Sequence, residues 1–286
     1  MLKQPIALLL ACGKLSQRVG TDLLRQGYRV IAVRRNPPQN SELEWISADL
    51  TDASAIAALP EAVELLIYTP SPSRQQPDSY QLMYAQLATQ LVQRYQRSTH
   101  LRRALLISST RVYEERGGEW VDENTPVQAA SSQSQSVIDA EKIWLTGFPE
   151  QGCVLRLAGI YGPGREWQIR RLLAQQPIQF APPSYTNRIH EQDAANLMTF
   201  LLRQPSLPYD LYLGVDDDPV AEGELFRWLA DKFKTHVPPA LTGASQQNKR
   251  CSNARIKSLG FLFDYPSFRE GYSAILATGR FNSGDV

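Results

Sequence analysis

Cysteine and histidine are both scarce in this chain of 286 residues, with three of each. Cys12, Cys153 and Cys251 form no Cys-x-x-Cys pair and have no metal-ligand spacing. That argues against a zinc site, and no metal is expected. So sparse and odd a set of thiols fits a reducing, cytoplasmic location rather than a disulfide scaffold. Net charge is nearly absent too, at a formal +1, so no field across the molecule favours nucleic acid or an anionic membrane as partner. Local basic groups can still bind phosphates. Repeats and low-complexity tracts do not stand out. What is there is a 43% share of hydrophobic residues, enough for a real core. The length suits one large α/β domain, or one with a small lobe attached.

The N-terminus reads in two ways. Lys3, the apolar run Ile6 to Ala11 and then Cys12 resemble a bacterial lipoprotein signal with its acylated cysteine, although the run is only just long enough. A buried parallel strand also reads as a short continuous apolar run. The pattern that follows favours the strand. Leu15 to Gln26 has helical spacing and stops at Gly27. Strand patterns recur at Tyr28–Val33, Leu43–Ile46, Val63–Thr69, Ala104–Ile107 and Cys153–Leu157. Helical patterns lie between them at Ala53–Leu59, Tyr80–Arg97 and Ser136–Leu145, and the Pro/Ser stretch Pro70–Pro77 is a loop.

Alternating strands and helices require crossover connections. The expected fold is therefore α/β: a Rossmann-like doubly wound parallel sheet with helices on both faces. After Gly159 the texture changes to short helices (Trp167–Leu173, Asp193–Leu202, Glu222–Phe233) separated by Pro-rich loops. Residues 1–160 are thus expected to form a nucleotide-binding domain. Residues 161–286 should form a small C-terminal substrate lobe, with some elements returning to the sheet.

The first strand–turn–helix unit is where such folds take a dinucleotide. Small residues let the backbone approach a pyrophosphate, and the helix N-terminus offers N–H groups to it. On a G-x-G-x-x-G frame the three positions hold Ala11, Gly13 and Ser16, with Lys14 and Leu15 between. One glycine alone is a weak motif, and Gly13 also reads as a plain turn. The second strand ends in Arg34-Arg35, where an acidic residue would bind the ribose of NAD. Arginine there pairs with the 2′-phosphate of NADP, so NADP is expected and NAD is the lesser alternative. Two solvated arginines before a loop are the bland reading. Asp49, next to Leu50, either accepts from an adenine amino group or caps the following helix. Thr69, closing the fourth strand, completes the expected cofactor side.

Ile107-Ser108-Ser109-Thr110-Arg111-Val112-Tyr113 resembles the fifth-strand end of the extended short-chain dehydrogenase/reductase family, the NAD(P)-dependent epimerase and dehydratase group. Asp122-Glu123-Asn124-Thr125-Pro126, Leu155 to Arg165 with its Tyr161-Gly162-Pro163-Gly164-Arg165, and His190-Glu191-Gln192-Asp193 resemble further elements of it, in the same order. Ser252–Arg255 and Tyr265–Tyr272 resemble the end of an atypical branch. The resemblance implies a Rossmann sheet, a small substrate lobe, and hydride transfer assisted by a Tyr-x-x-x-Lys pair and a Ser/Thr. The Ser/Thr role falls on Ser109, with Tyr113 as a second catalytic candidate.

The Tyr-Lys pair is missing. Its positions hold Gln133 and Val137, and none of the 12 tyrosines has a lysine four residues later. Lys142 is five residues past Val137, which at about 100° per residue puts it well round the helix. Gln133 cannot act as an acid or base near neutral pH. The arginine that the group places four residues before the motif histidine is Thr186 here. Ser109, Thr110, Gln133, Arg165 and Arg188 are the expected substrate contacts, and the two arginines suit an anionic small molecule. Arg188 and His190 also read as braces of the lobe, and Asp193 as a cap of the next helix. Two functions follow: an NADP-dependent oxidoreductase or epimerase-like enzyme with altered chemistry, and a non-catalytic NADP-binding sensor or scaffold. By the same resemblance, helices 80–97 and 136–145 correspond to those with which many members of the family form a homodimer, although their apolar spacing is equally what burial against the sheet requires.

Overall fold

The computed structural model describes residues 4–73, 76, 78–114, 116–241 and 248–278. Lys3 and parts of the Pro70–Pro77 loop lie outside the described residues. The chain runs through β1 (Ile6–Leu10), α1 (Lys14–Arg25), β2 (Arg29–Arg34), β3 (Glu44–Ser47), α2 (Ala53–Ala57) and β4 (Leu65–Tyr68). A π-helical segment, Gln81–Gln86, leads into α3 (Leu87–Tyr95). Next come β5 (Arg103–Ser109), a 3-10 turn (Thr110–Val112), β6 (Trp120–Val121), α4 (Ser132–Gly147), β7 (Gly152–Leu157) and β8 (Gly159–Tyr161). The remainder is α5 (Trp167–Leu173), β9 (Tyr185–Thr186), β10 (Arg188–His190), α6 (Glu191–Arg203), β11 (Leu211–Gly214), β12 (Val220–Ala221), α7 (Glu222–Phe233), β13 (Arg250–Cys251), α8 (Ala254–Ser258) and α9 (Phe268–Ala277).

Seven strands form one sheet in the order β11-β7-β5-β4-β1-β2-β3. Neighbours from β3 through β5 pair in parallel. The order reverses direction at β1 and β4, which is the switch point where doubly wound sheets bind ligands. The N-terminal apolar run is β1, the strand between β4 and β2. All five of its residues are buried, as a parallel strand covered on both faces requires. Each fully buried leucine there is worth about 1.5–3 kcal/mol. No helix among the described residues is long and apolar enough to cross a membrane.

Two compact units share the chain, interleaved in sequence. The first comprises residues 1–112, 127–156 and 195–212, and the second 113–126, 157–194 and 213–286. In the first, a buried ion pair ties α4 to the sheet: Arg156 Nη2 donates to Glu141 Oε2 at 2.6 Å and its Nε to Oε1 at 3.0 Å. Ser108 donates to the same carboxylate. The second unit has its own core of Tyr161, Ile169, Phe226, Leu229, Phe268 and Tyr272, among others. Its last helix starts on a capping box, with Ser267 and Glu270 satisfying each other's backbone N–H groups.

Candidate functional site

A cavity of about 500 Å³ opens in the first unit beside the turn from β1 to α1. Ala11, Gly13, Arg34, Arg35, Asp49 and Leu50 all line it, so residues from the ends of three strands meet there. The turn itself explains why small residues occupy it. Ala11 holds φ at 53°, a left-handed conformation costing about 1–2 kcal/mol for a residue with a Cβ. Gly13 caps α1, and a Cβ built on it meets nothing within 4 Å. No side chain caps the helix start. Its first-turn N–H groups thus have no side-chain cap to satisfy them, the arrangement that receives an anion. With two arginines on the wall, these residues fit a phosphorylated dinucleotide.

Four of the expected cofactor residues do not line the cavity. Lys14 and Leu15 open α1. Ser16 is buried, and its hydroxyl is 2.9 Å from that of Thr69. Thr69 also lies 3.1 Å from the carbonyl of Leu10 and 3.2 Å from that of Ala11. These two hydroxyls fasten the strand ends beneath the turn. Asp49 does not cap α2; Asp52 does, accepting from the N–H of Ser54 at 2.8 Å. Asp49 instead accepts from the N–H and hydroxyl of Thr51 at 3.0 and 2.8 Å. Those bonds hold its carboxyl below the usual carboxylate range.

Sequence reading missed several walls. Ser73, Ser79, Leu82 and Met83 belong to the loop after β4 and the segment that follows it. Their signal was the Pro/Ser loop at the switch point. Cys12 also lines the cavity, where burial pushes its thiol up to about 12 while Arg34 draws it down. Such a thiol is not a nucleophile near neutral pH.

A second cluster sits at the end of β5. Ser109 is half-buried, and its Oγ accepts the Arg111 N–H at 3.3 Å. Gln133 Oε1 accepts from Arg111 Nη1, also at 3.3 Å, while Val137 is fully buried. Thr110 is buried in the 3-10 turn. The chain that should carry the Tyr-Lys pair thus offers an amide and an isopropyl group. Tyr84 is the phenol that Arg111 acts on electrostatically. It is buried, and that burial raises its pKa, with Arg111 only partly offsetting.

The second unit places Tyr113, Arg165 and Arg188. Tyr113 is 1% exposed and donates from its hydroxyl to the carbonyl of Asp122 at 2.7 Å. That bond ties the phenol to the loop that begins at Asp122. Arg165 lies 3.6 Å from Glu191. Arg188 is 3% exposed, donates to Thr186 and lies over the Phe268 ring. It is built into the interior of its unit. His190 is likewise buried between Tyr161 and Tyr265. Asp193 does not cap α6 from outside. It lies within the first turn, 0% exposed, and accepts from the N–H groups of Asp264 and Tyr265 at 2.8 and 2.9 Å. Burial pushes its carboxyl up to about 6 despite those bonds.

The family model described as the NAD dependent epimerase/dehydratase family matches residues 13–209. The chain belongs to this family. Among solved structures, it is similar to a candidate NAD-dependent epimerase/dehydratase from Methylobacillus flagellatus. The two are 31% identical, with a TM-score of 0.80 over 97% of this chain and 99% of the other. A conserved protein of unknown function from Silicibacter pomeroyi is 27% identical, with a TM-score of 0.76 over 96% and 99% of the two chains. MoeE5, solved with UDP-glucuronic acid and NAD, is 22% identical, with a TM-score of 0.76 over the same shares, and so shares the fold. No curated protein matches the chain. As an epimerase/dehydratase family member with a Rossmann-like sheet, the protein is of an NAD(P)-binding, oxidoreductase- or epimerase-like kind.

Proposed function

We propose that this member of the epimerase/dehydratase family binds NADP in preference to NAD and acts on a small anionic substrate without the family's usual proton-transfer pair. One observation carries the reading: Arg34 and Arg35 stand on the cavity wall with Gly13 and the uncapped start of α1. A guanidinium there pairs with a 2′-phosphate, whereas an NAD site would carry an acid. The bound nucleotide would supply hydride transfer. The chain's part is to bind and orient. Ala11, Gly13 and the α1 N-terminus hold the pyrophosphate, Arg34 and Arg35 hold the 2′-phosphate, and Asp49 and Leu50 flank the adenine. Ser109, at the end of β5, positions the substrate. Loss of general acid/base help costs about 10²–10⁴-fold, which slows such chemistry without forbidding it. The UDP-sugars seen in MoeE5 make sugar nucleotides the first substrates to try. The buried free thiols fit a reducing cytoplasm as the location.

The buried Val137 and the committed Tyr113 favour a second reading, in which the same pocket serves an NADP-responsive sensor without turnover. NADPH oxidation with aldehydes, ketones and sugar nucleotides separates the two. The enzyme reading expects turnover that falls at least tenfold in Ser109→Ala. Turnover unchanged in that variant removes Ser109 from the site. NADPH binding without oxidation of any compound favours the sensor.

A further inference from the structure

Arg111 is a cation that does not line the dinucleotide cavity. It sits half-buried in the 3-10 turn that ends β5, where Ser134 Oγ donates to its carbonyl at 3.4 Å. Among the described residues no carboxylate pairs with it. Its guanidinium lies 5.1 Å from the Tyr80 ring centroid, and its Nη1 donates to Gln133 Oε1. The guanidinium thus lies over the face of the ring, a cation–π contact that helps hold it in place.

The neighbours of Arg111 are biased in one chemical direction. Accepting from Arg111 turns the Gln133 carbonyl oxygen towards the guanidinium and leaves the amide N–H groups to donate elsewhere. Ser109 Oγ already accepts the Arg111 N–H, which leaves its own proton to give. Guanidinium, amide and hydroxyl thus gather at the end of β5 with donors on offer. A pole of this kind satisfies a substrate acceptor and stabilises negative charge. Arginine matches a planar carboxylate through two parallel hydrogen bonds, which lysine cannot do. The anion-binding role expected of Arg165 and Arg188 is better met here. Arg165 faces Glu191 and Arg188 is interior.

We infer that Arg111, with Gln133 and Ser109 beside it, is a substrate-binding residue that selects a carboxylate-bearing substrate. The inference rests on the reading of this protein as an NADP-dependent family member, since it names the substrate class of that site. Saturation-transfer NMR with D-glucuronate and D-glucose, a pair differing in the carboxylate, tests it on protein with and without NADP. The wild type should bind glucuronate in preference to glucose. Arg111→Gln should lose about tenfold in glucuronate affinity, Arg111→Lys should retain part of it, and NADP affinity should stay the same in both. Arg111→Met, which keeps an apolar stem against Tyr80, serves if the glutamine variant does not fold. No glucuronate binding by the wild type, or equal binding by the Gln and Met variants, overturns the inference. A wild type that ignores NADP yet shows an Arg111-dependent preference for glucuronate would remove the cofactor reading alone.

Discussion

Arg34 and Asp193 show how differently single residues can be read from a sequence. The place of Arg34 on the cavity wall was legible because it depends on local position, the end of a second strand after a strand–turn–helix unit. Asp193 was not, because its partners are the backbone N–H groups of Asp264 and Tyr265, some 70 residues further on. Arg111 was quoted within a motif and passed over for the same reason. Its neighbours come from α4 and from the segment before α3, which only the fold brings together. Asp193 also carries a pH signature. Its carboxyl is raised from 3.8 to about 6, so the folded state holds the proton more tightly than the unfolded chain. The stability this proton confers is complete below about pH 4 and is lost as pH rises through about 6. The wild type's stability relative to Asp193→Asn should therefore fall by roughly 2 kcal/mol across that window. Urea titrations of both proteins at several pH values measure it, and a difference that stays flat or grows with pH contradicts the assignment.

Elements were legible where their pattern is local. Lys14–Arg25 and Ala53–Ala57 emerge close to their expected spans, since helical periodicity and a stop residue mark each. The expected helix Tyr80–Arg97 instead begins with a π-helical segment, a feature periodicity does not report. Leu211–Gly214 was not anticipated as the sheet's seventh strand, because a four-residue edge strand is defined by its partner β7 rather than by its own pattern. Tyr265–Tyr272 resembles a family element, but the helix Phe268–Ala277 that begins within it was not anticipated. Its packing yields a sharp test. A Cβ on Gly271 would overlap the hydroxyl of Tyr161, which lies in the same core as Tyr272 and Phe268. Gly271→Ala should cost about 1–3 kcal/mol by overpacking, read as a lower urea midpoint. A variant as stable as the wild type would show that α9 does not rest on Tyr161 as described.

For the whole molecule, the sheet order and the family assignment agree on a nucleotide-binding protein, and α4 carries Gln133 and Val137 where the family resemblance expects a Tyr and a Lys. Strand alternation and the ordered motifs made the architecture readable. The reaction was not readable, because Gln133 and Val137 remove the pair from which it is usually inferred. The account turns on the arginines of the 500 Å³ cavity. A ligand at 100 times its dissociation constant stabilises the folded state by about 2.7 kcal/mol. The most direct test is isothermal calorimetry of NADPH and NADH on the wild type and on Arg34→Ala. The wild type should bind NADPH at least tenfold more tightly than NADH, and Arg34→Ala should lose that preference while keeping its affinity for NADH. Equal affinity for the two nucleotides in the wild type, or no binding of either by folded protein, would contradict it.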